Sequence, residues 1–583
     1  MPASLIDGNS LLAVDVGSVT TRAAYFDVVE GQYRLIGMGH CPTTNYSAMR
    51  NLVLGVQLAV ENLQSLTGKQ LMDDDGRLLI PSQPDGSGVD AMVTTFSVGA
   101  PIKTLVVGLL PEISLKSAEK LAHATYARIV DSLSLNDPRR LDEQVNTIVR
   151  YSPELVLIAG GLDGGASYSI KNIIETVGLS AYLMPEEQRP AMLYAGNRAL
   201  ADSIKTTLSK IASELVICPN VRPALEVETP GPAQRQLANL TTNIRQRQMP
   251  ELEELRTLSG GVILPSAYAQ GRMVRFLSSY YGGNKYVLSV DVGASAISLA
   301  ASFGEDLHLN VLPHFGLGEP LSGLLKHTTL DEIARWLPVE IPLETVRDYL
   351  YQKSLYPQCV PATHEELFIE QAIVRQSLLL SAQTMIQRLP GRYRKPGGLL
   401  PSFEPILAGG AVLTHAPSLG QKLLMLLDGL QPVGITTLVL DHNNLLAMLG
   451  VAAEVNSLLP VQVMDAGALA YLATIIAPVS DAAYGTPIVR AKLIREDGTT
   501  MTSEVNMGNL QILPLDSGQT ARLELRPLRN ADVGLGPGRA GAVEVIGSSL
   551  GVVIDARGRP LRLPPNTGER VKLLKKWLKT VGG

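Results

Sequence analysis

Leu11-Leu12-Ala13-Val14-Asp15-Val16-Gly17-Ser18-Val19-Thr20-Thr21 decides the fold, because the chain repeats its plan 276 residues later as Val287-Leu288-Ser289-Val290-Asp291-Val292-Gly293-Ala294-Ser295-Ala296-Ile297. Each copy is an apolar run without a polar face, as expected of a strand buried on both sides. Each then ends in an acid, a glycine and small residues. Such a turn lets backbone N–H groups approach a phosphate, and its acid can hold Mg²⁺ directly or through water. The spacing is too long for a solenoid repeat and suits two halves of a large molecule. Two facing turns of this kind predict a nucleotide clamp.

At 583 residues the chain is too long for one core, and two to four domains are expected. Hydrophobic residues make up 45 % and charged residues 18 %, so most of the chain is expected to fold. The net charge of −5 gives no global reason to expect nucleic acid. Cys41, Cys218 and Cys359 are far apart and odd in number, which fits a reducing compartment and offers no disulfide or metal framework. No positively charged n-region precedes an apolar stretch, and the longest apolar run, 468–477, stops at Pro478. That run is about half of the roughly 20 residues needed to span a bilayer. No transmembrane segment and a cytoplasmic location are therefore expected.

Outward from the first turn, residues 1–40 read as a β-meander. Apolar spacing predicts helices over 49–66 and 142–150, and a strand at 105–110 followed by a helix over 114–133. Residues 73–88, rich in Asp, Gly and Pro, read as a surface loop. An apolar strand then empties into Gly160-Gly161-Leu162-Asp163-Gly164-Gly165, and a βα-type segment follows to Cys218. Residues 222–254, with four prolines and many Gln and Asn, read as an insertion or mobile crossover. In the second half, His314-Phe315-Gly316-Leu317-Gly318-Glu319 is a glycine loop. A capping box at Thr363 and Glu366 opens a long helix. A second apolar strand runs into Gly409-Gly410, 249 residues after Gly160-Gly161. Past 484, period-2 alternation and turn dipeptides predict a β-rich C-terminal domain closed by a basic helix. The expected organisation is a first lobe over 1–220, an insertion or crossover over 221–275, a second lobe over 276–480 and the β-rich domain over 481–583.

Asp15 with Gly17, Ser18, Thr20 and Thr21 is the strongest chemical signal, since the hydroxyls can donate to phosphate oxygens beside the backbone amides. The second copy keeps Asp291, Gly293 and Ser295 but has Ala294, Ala296 and Ile297 where hydroxyls would stand, which weakens hydrolysis more than binding. Both acids are candidate Mg²⁺ ligands. Gly409 and Gly410 suit a turn that packs flat on a base or ribose. Asp163, in a loop with more glycine than a turn needs, reads either as a residue that orients attacking water or as an Asx-turn residue. Residues 445–453 read as a helix packing closely, through Gly450, on another helix. The glycine-rich stretch 534–541 is rejected as a dinucleotide fingerprint, because no βαβ unit surrounds it and Pro537 removes a donor.

Paired Asp-x-Gly turns followed by an apolar strand with Gly-Gly resemble the actin, sugar-kinase and heat-shock-chaperone ATPase superfamily. Within it the chain is similar to the glutamate mutase L (MutL) family, accessory proteins of adenosylcobalamin-dependent mutases. The similarity rests on residues 13–21, 155–165, Tyr194-Ala195-Gly196-Asn197, 407–413 and Gly551-Val552-Val553-Ile554-Asp555-Ala556-Arg557-Gly558-Arg559-Pro560-Leu561. The resemblance implies an α/β fold with duplicated actin-like (ribonuclease H-like) ATPase domains. It implies ATP and Mg²⁺ held by the turns at Asp15 and Asp291, with Gly160, Gly161, Gly409 and Gly410 as further nucleotide contacts. It also implies a chaperone-like role toward an adenosylcobalamin-dependent mutase, with slow ATP hydrolysis. One alternative is a non-catalytic nucleotide-binding scaffold or filament-forming relative, which would be an oligomer. Another is a small-molecule kinase, for which no acceptor-binding motif stands out.

Overall fold

The computed structural model describes residues 9–44, 51–165, 168–282 and 285–583. The chain divides into two compact units. One comprises Met1–Gln270, Leu309–Pro313 and Ala447–Pro460; the other comprises Gly271–His308, His314–Leu446 and Val461–Gly583.

In the first unit, β1 (Leu11–Val16), β2 (Thr20–Val29) and β3 (Gln32–Pro42) form an antiparallel meander. β1 is buried at every position, as its unbroken apolar run requires. The helix Leu52–Thr67 is started by Asn51, whose side chain accepts from the amides of Val53 and Leu54, and is stopped by Gly68 in the left-handed region. The first residues of the 49–66 expectation, Met49 and Arg50, lie outside the described residues. The helix buries Leu52, Val56, Ala59, Val60 and Leu63, the i, i+4, i+7 stripe that the periodicity required. β4 (Ala91–Phe96) then runs parallel to β1 on its other side.

Here the chain leaves the sheet to build another. β5 (Ile102–Gly108), β6 (Ala127–Leu133), β7 (Leu155–Ala159), β8 (Ala191–Tyr194) and β9 (Glu214–Ile217) form an all-parallel sheet of order β6-β5-β7-β8-β9. Leu155, Leu157, Ala191 and Leu193 pack on one face; Val156, Ile158, Met192 and Tyr194 pack on the other. Both faces are covered, which is why these strands lack polar alternation. The expected helix over 114–133 is therefore half wrong. The helical part ends at Ala122, and Ala127–Leu133 extends beside β5, where its apolar residues find a sheet to complete.

β10 (Ile263–Pro265) returns to the first sheet and pairs parallel with β4, giving the order β10-β4-β1-β2-β3. The segment read as an insertion or mobile crossover contains two helices, Gly231–Gln248 and Glu251–Leu258, leading into that strand. Leu237, Leu240 and Ile244 cover the parallel sheet, and Leu252 and Leu255 close the first core. The parallel sheet thus stands between β4 and β10 in the chain, and residues after β9 carry the chain back to the first sheet. Farther on, Gly450 lies against the backbone of Ala269, the close helix approach that its small-residue face predicted.

The second unit repeats the plan. β11 (Val287–Val292) pairs antiparallel with β12 (Ile297–Phe303), and β13 (Asp306–Leu312) lies beyond it. β14 (Ile406–Gly409) pairs parallel with β11, and β15 (Gly434–Asp441) parallel with β14. The order β13-β12-β11-β14-β15 matches β3-β2-β1-β4-β10 strand for strand. Three antiparallel strands followed by two parallel ones, present twice, make this an α/β chain of duplicated ribonuclease H-like, actin-like domains.

The second sheet continues through β16 (Ala470–Ala477), antiparallel to β15. Beyond it the chain forms β17 (Pro487–Arg495), β18 (Thr500–Asn506), β19 (Leu510–Leu513), β20 (Thr520–Pro527), β21 (Gly541–Ile546) and β22 (Val552–Asp555). Four of these make an antiparallel sheet of order β18-β17-β20-β21, but β22 extends the second sheet beyond β16 and β19 forms its edge. A boundary at 480 therefore cuts through one hydrogen-bonded sheet and one core, since Ile476 packs with Ile488, Leu523 and Val552.

The end of β22 carries a buried charge network. The Asp555 carboxylate accepts from Arg557 Nε at 2.8 Å, Arg557 Nη2 at 2.9 Å and Arg559 Nη2 at 2.6 Å. Asp428 accepts from Arg557 Nη1 at 2.7 Å and from Arg375 Nε at 2.9 Å. Arg557 stacks 4.7 Å from the ring centre of Trp577, which anchors the terminal helix Thr567–Thr580. The basic helix read from the sequence thus buries Leu574 and Trp577 and leaves its lysines outside.

Candidate nucleotide-binding turns

Asp15 ends the β1 run and Asp291 the β11 run, and the two hairpin turns that follow are built alike. Gly17 N donates to Thr20 O at 3.1 Å, and Gly293 N donates to Ala296 O at 3.1 Å. In each unit the segment after the third strand reaches back to hold the turn's carbonyls. Thr43 Oγ1 donates to Gly17 O and Thr43 N to Val19 O, both at 2.8 Å. Leu317 N donates to Gly293 O at 3.0 Å and Gly318 N to Ala294 O at 2.9 Å. The 314–319 glycine loop is therefore a brace for the second turn. Among the described residues, the amides of Ser18 and Val19, and those of Ala294 and Ser295, donate to no backbone carbonyl. A turn with its carbonyls occupied and two successive amides uncommitted has the donor set of an anion nest.

The acids differ. Asp15 is 2 % exposed; its Oδ1 accepts from Thr95 Oγ1 at 2.7 Å and Ser266 Oγ at 2.9 Å, and Arg22 Nη1 lies 3.6 Å from Oδ2. Thr95 stands opposite Asp15 on β4, and Ser266 follows β10, so the sheet order itself brings these donors in. A carboxylate so occupied is a poorer metal ligand than the sequence suggested. Thr21 also departs from expectation: it is fully buried and pairs with Thr43 Oγ1 at 3.0 Å, so it steadies the turn instead of presenting a hydroxyl. Ser18 and Thr20 remain partly exposed on the turn.

Asp291 is only half-buried. Parallel pairing sets Gly409 beside it and Asp441 beside Gly409, an acid-glycine-acid row across β11, β14 and β15. A Cβ added at Gly409 would lie 3.5 Å from both Asp291 Oδ1 and Asn444 Oδ1, so the glycine keeps the space between these oxygens open. Asp441 Oδ1 and Oδ2 accept from the amides of Leu445 and Leu446 at 2.7 and 2.8 Å, capping the helix Leu445–Ala452. Gly410 serves the fold: it has φ +104°, and a Cβ there would run into the carbonyl of Val292. Ser295 lies partly exposed on the second turn. Asp441 and Asn444 escaped the sequence reading, although Leu438-Val439-Leu440-Asp441 repeats the apolar-strand-then-acid signature.

Gly160, Gly161 and Asp163 sit elsewhere, at the end of β7 in the parallel sheet. The counterpart of β14 is β4, so the two Gly-Gly turns are not equivalent positions of the duplication. Asp163 accepts from Arg198 N at 2.9 Å and Asn220 Nδ2 at 3.0 Å, and those bonds hold its carboxyl below the usual range. Asn220 also donates to Gly161 O at 3.0 Å. These bonds sew the glycine loop to residues 35 and 57 positions farther on, and not to the local amide that an Asx turn would use.

A family model described as "MutL protein" matches residues 11–467, more than three quarters of the chain. The chain belongs to the MutL family. The matched span ends before Asp555, so the 551–561 segment lies beyond it. "Protein MutL" of Clostridium tetanomorphum is 21 % identical over 452 residues, covering 71 % of this chain and 88 % of that protein. Among solved structures, a nucleotide-free acetone carboxylase is 11 % identical with a TM-score of 0.29, covering 85 % of this chain and 81 % of that one. A glycerol dehydratase reactivase is 10 % identical with a TM-score of 0.31, covering 77 % and 100 %. No helix among the described residues is long and apolar enough to cross a membrane.

Proposed function

We propose that this chain binds ATP with Mg²⁺ and acts as a nucleotide-dependent accessory protein of an adenosylcobalamin-dependent mutase. The observation that carries the reading is the twice-built turn: in each unit, independent hydrogen bonds draw back the carbonyls and leave successive amides for an anion. Ser18, Thr20 and Ser295 would add hydroxyl donors. The oxygens around the bare Gly409 come from Asp291 and Asn444, hard donors that suit a divalent cation. Mg²⁺, when bound, supplies neutralisation of phosphate charge. Asp291 would orient the cation or its water, and Asp441 would hold its helix terminus in place. Asp15, tied to Thr95, Ser266 and Arg22, would position the first turn. That occupancy favours binding and slow turnover over fast catalysis. The mutase assignment comes from family membership.

The test is equilibrium ATP binding and phosphate release by the parent and by Asp291→Asn. Asp291→Asn is expected to lower phosphate release by about a hundredfold, the scale of losing one electrostatic contact to the reacting groups, while retaining the fold. An Asp291→Asn protein that releases phosphate like the parent would sink the assignment. Tight ATP binding by the parent without phosphate release would replace it with the scaffold reading. Capture of an adenosylcobalamin-dependent mutase that does not change between ATP and ADP would remove the nucleotide-switch role.

A further inference from the structure

We propose, resting on the accessory-protein role, that the turn after the helix Leu343–Leu355 is an apolar knob that docks into a hollow on a partner protein, under control of the second acid-bearing turn. Leu355, Tyr356 and Val360 are 73, 62 and 81 % exposed, and Val360 is the most exposed large apolar side chain among the described residues. The amide of Cys359 donates to the Tyr356 carbonyl at 3.0 Å, a chain reversal that sets Cys359 and Val360 back beside Tyr356. Single exposed apolar residues are ordinary on a surface. Three on one turn make a patch of roughly 400 Å², the size at which exposed apolar surface on a monomer is often functional.

The knob is held in place. Lys353 is 7 % exposed; its ammonium donates to the Cys359 carbonyl and lies 3.4 Å from the Glu370 carboxylate, itself 6 % exposed. Tyr349 donates its hydroxyl to the same carboxylate. On the far side, Glu366 accepts from the amide of Ala362 at 2.7 Å. Burying an ion pair costs desolvation, and here the pair fixes a turn whose apolar residues face solvent. Side chains presented in an ordered turn lose less entropy when a partner covers them. Pro357 links the knob to the nucleotide turn. A Cβ added at Gly318 would meet Pro357 Cβ at 3.3 Å and Ala294 Cβ at 3.2 Å, so knob, brace and turn pack around one glycine. A shift of the Ala294 turn on nucleotide binding therefore reaches the knob through Pro357. Area selects the occupant. A patch of roughly 400 Å² falls short of the ~800 Å² per partner that a stable interface buries, which disfavours a standing dimer of this chain and suits a contact made and released.

Cys359 is the exposed cysteine of three, so a thiol-reactive fluorophore there reports from the knob itself. In the labelled full chain, saturating ATP should change the emission with no partner present; emission that ATP leaves unmoved overturns control by the turn. The unlabelled chain with ATP is then titrated with the adenosylcobalamin-dependent mutase of the same organism. The parent should bind it, and Val360→Asp should weaken binding about tenfold, with ATP affinity and the unfolding midpoint as in the parent. Equal binding by parent and variant overturns the knob and leaves the accessory role standing. A parent that binds no mutase with either ATP or ADP overturns both. Self-association of the parent that Val360→Asp abolishes, read as mass in sedimentation, makes the occupant a second copy and overturns the assignment to a different protein.

Discussion

Asp555→Asn should lower the unfolding free energy of the second unit by about 3–5 kcal/mol, the scale for breaking a buried ion pair by removing one partner. Asp555 is fully buried and takes three guanidinium N–H bonds from Arg557 and Arg559. Neutralising it leaves three buried guanidinium groups around Asp428 alone. The damage reaches Trp577, because Arg557 holds the indole face that seats the terminal helix. Urea unfolding followed by tryptophan emission reads this locally, which matters in a chain of two units that need not unfold together. A midpoint within experimental scatter of the parent would show that the network carries no stability. The pH dependence follows from sign. Burial pushes the Asp555 carboxyl up, but Arg557 and Arg559 outweigh it and hold the group far below the usual carboxylate range. A depressed folded-state pKa means that its contribution is complete above the unfolded value, about 3.9, and fades only as pH falls toward the folded one. The gap between parent and variant should therefore be constant from pH 5 to 8 and narrow only in strong acid.

Gly410→Ala should cost about 2–5 kcal/mol, combining a backbone region closed to L side chains with a Cβ forced onto a neighbouring carbonyl. The residue stands at φ +104°, and the carbonyl in the way is that of Val292, one residue past Asp291. The substitution thus shifts the second turn, and ATP binding should fall together with the unfolding midpoint. Gly409→Ala is the informative contrast. Its Cβ would meet only ordinary contacts at 3.5 Å, so the fold should hold to within about 1 kcal/mol, the usual reach of a tolerated substitution. Yet it fills the space between Asp291 and Asn444. Loss of ATP affinity in Gly409→Ala with an unchanged midpoint would separate the site from the scaffold; full affinity would remove Gly409 from the site.

What could be read in the sequence was what is written locally. The repeated strand and turn at Asp15 and Asp291 gave the duplication, because a buried parallel strand and its turn leave an unbroken apolar run and a glycine. The capping box at Thr363 and Glu366 announced its helix for the same reason. Partners set by strand order stayed hidden. Thr95 reaches Asp15 only because β4 pairs with β1, Ser266 only because β10 returns after a whole inserted sheet, and Asp441 stands near Asp291 only because β14 lies between them. Gly160-Gly161 and Gly409-Gly410 look alike locally, yet one closes a parallel inserted sheet and the other a repeated core. Pairing partners, which local periodicity does not encode, tell them apart. The C-terminal strands misled for the same cause: β22 alternates little because it is buried as an inner strand of the second sheet, flanked by β16 and β19.

That sharing of strands has a bearing on biosynthesis. β16 is an apolar strand whose outer edge is satisfied by β22, so on the ribosome it waits for a segment that is translated well after it. Until then it presents unpaired N–H and C=O groups to any passing chain. A premature stop codon after residue 480 would leave both acid-bearing turns encoded, yet release a polypeptide with a sticky flank. Such fragments should accumulate as aggregates, and nascent chains of this protein should depend on holding factors until β22 has emerged.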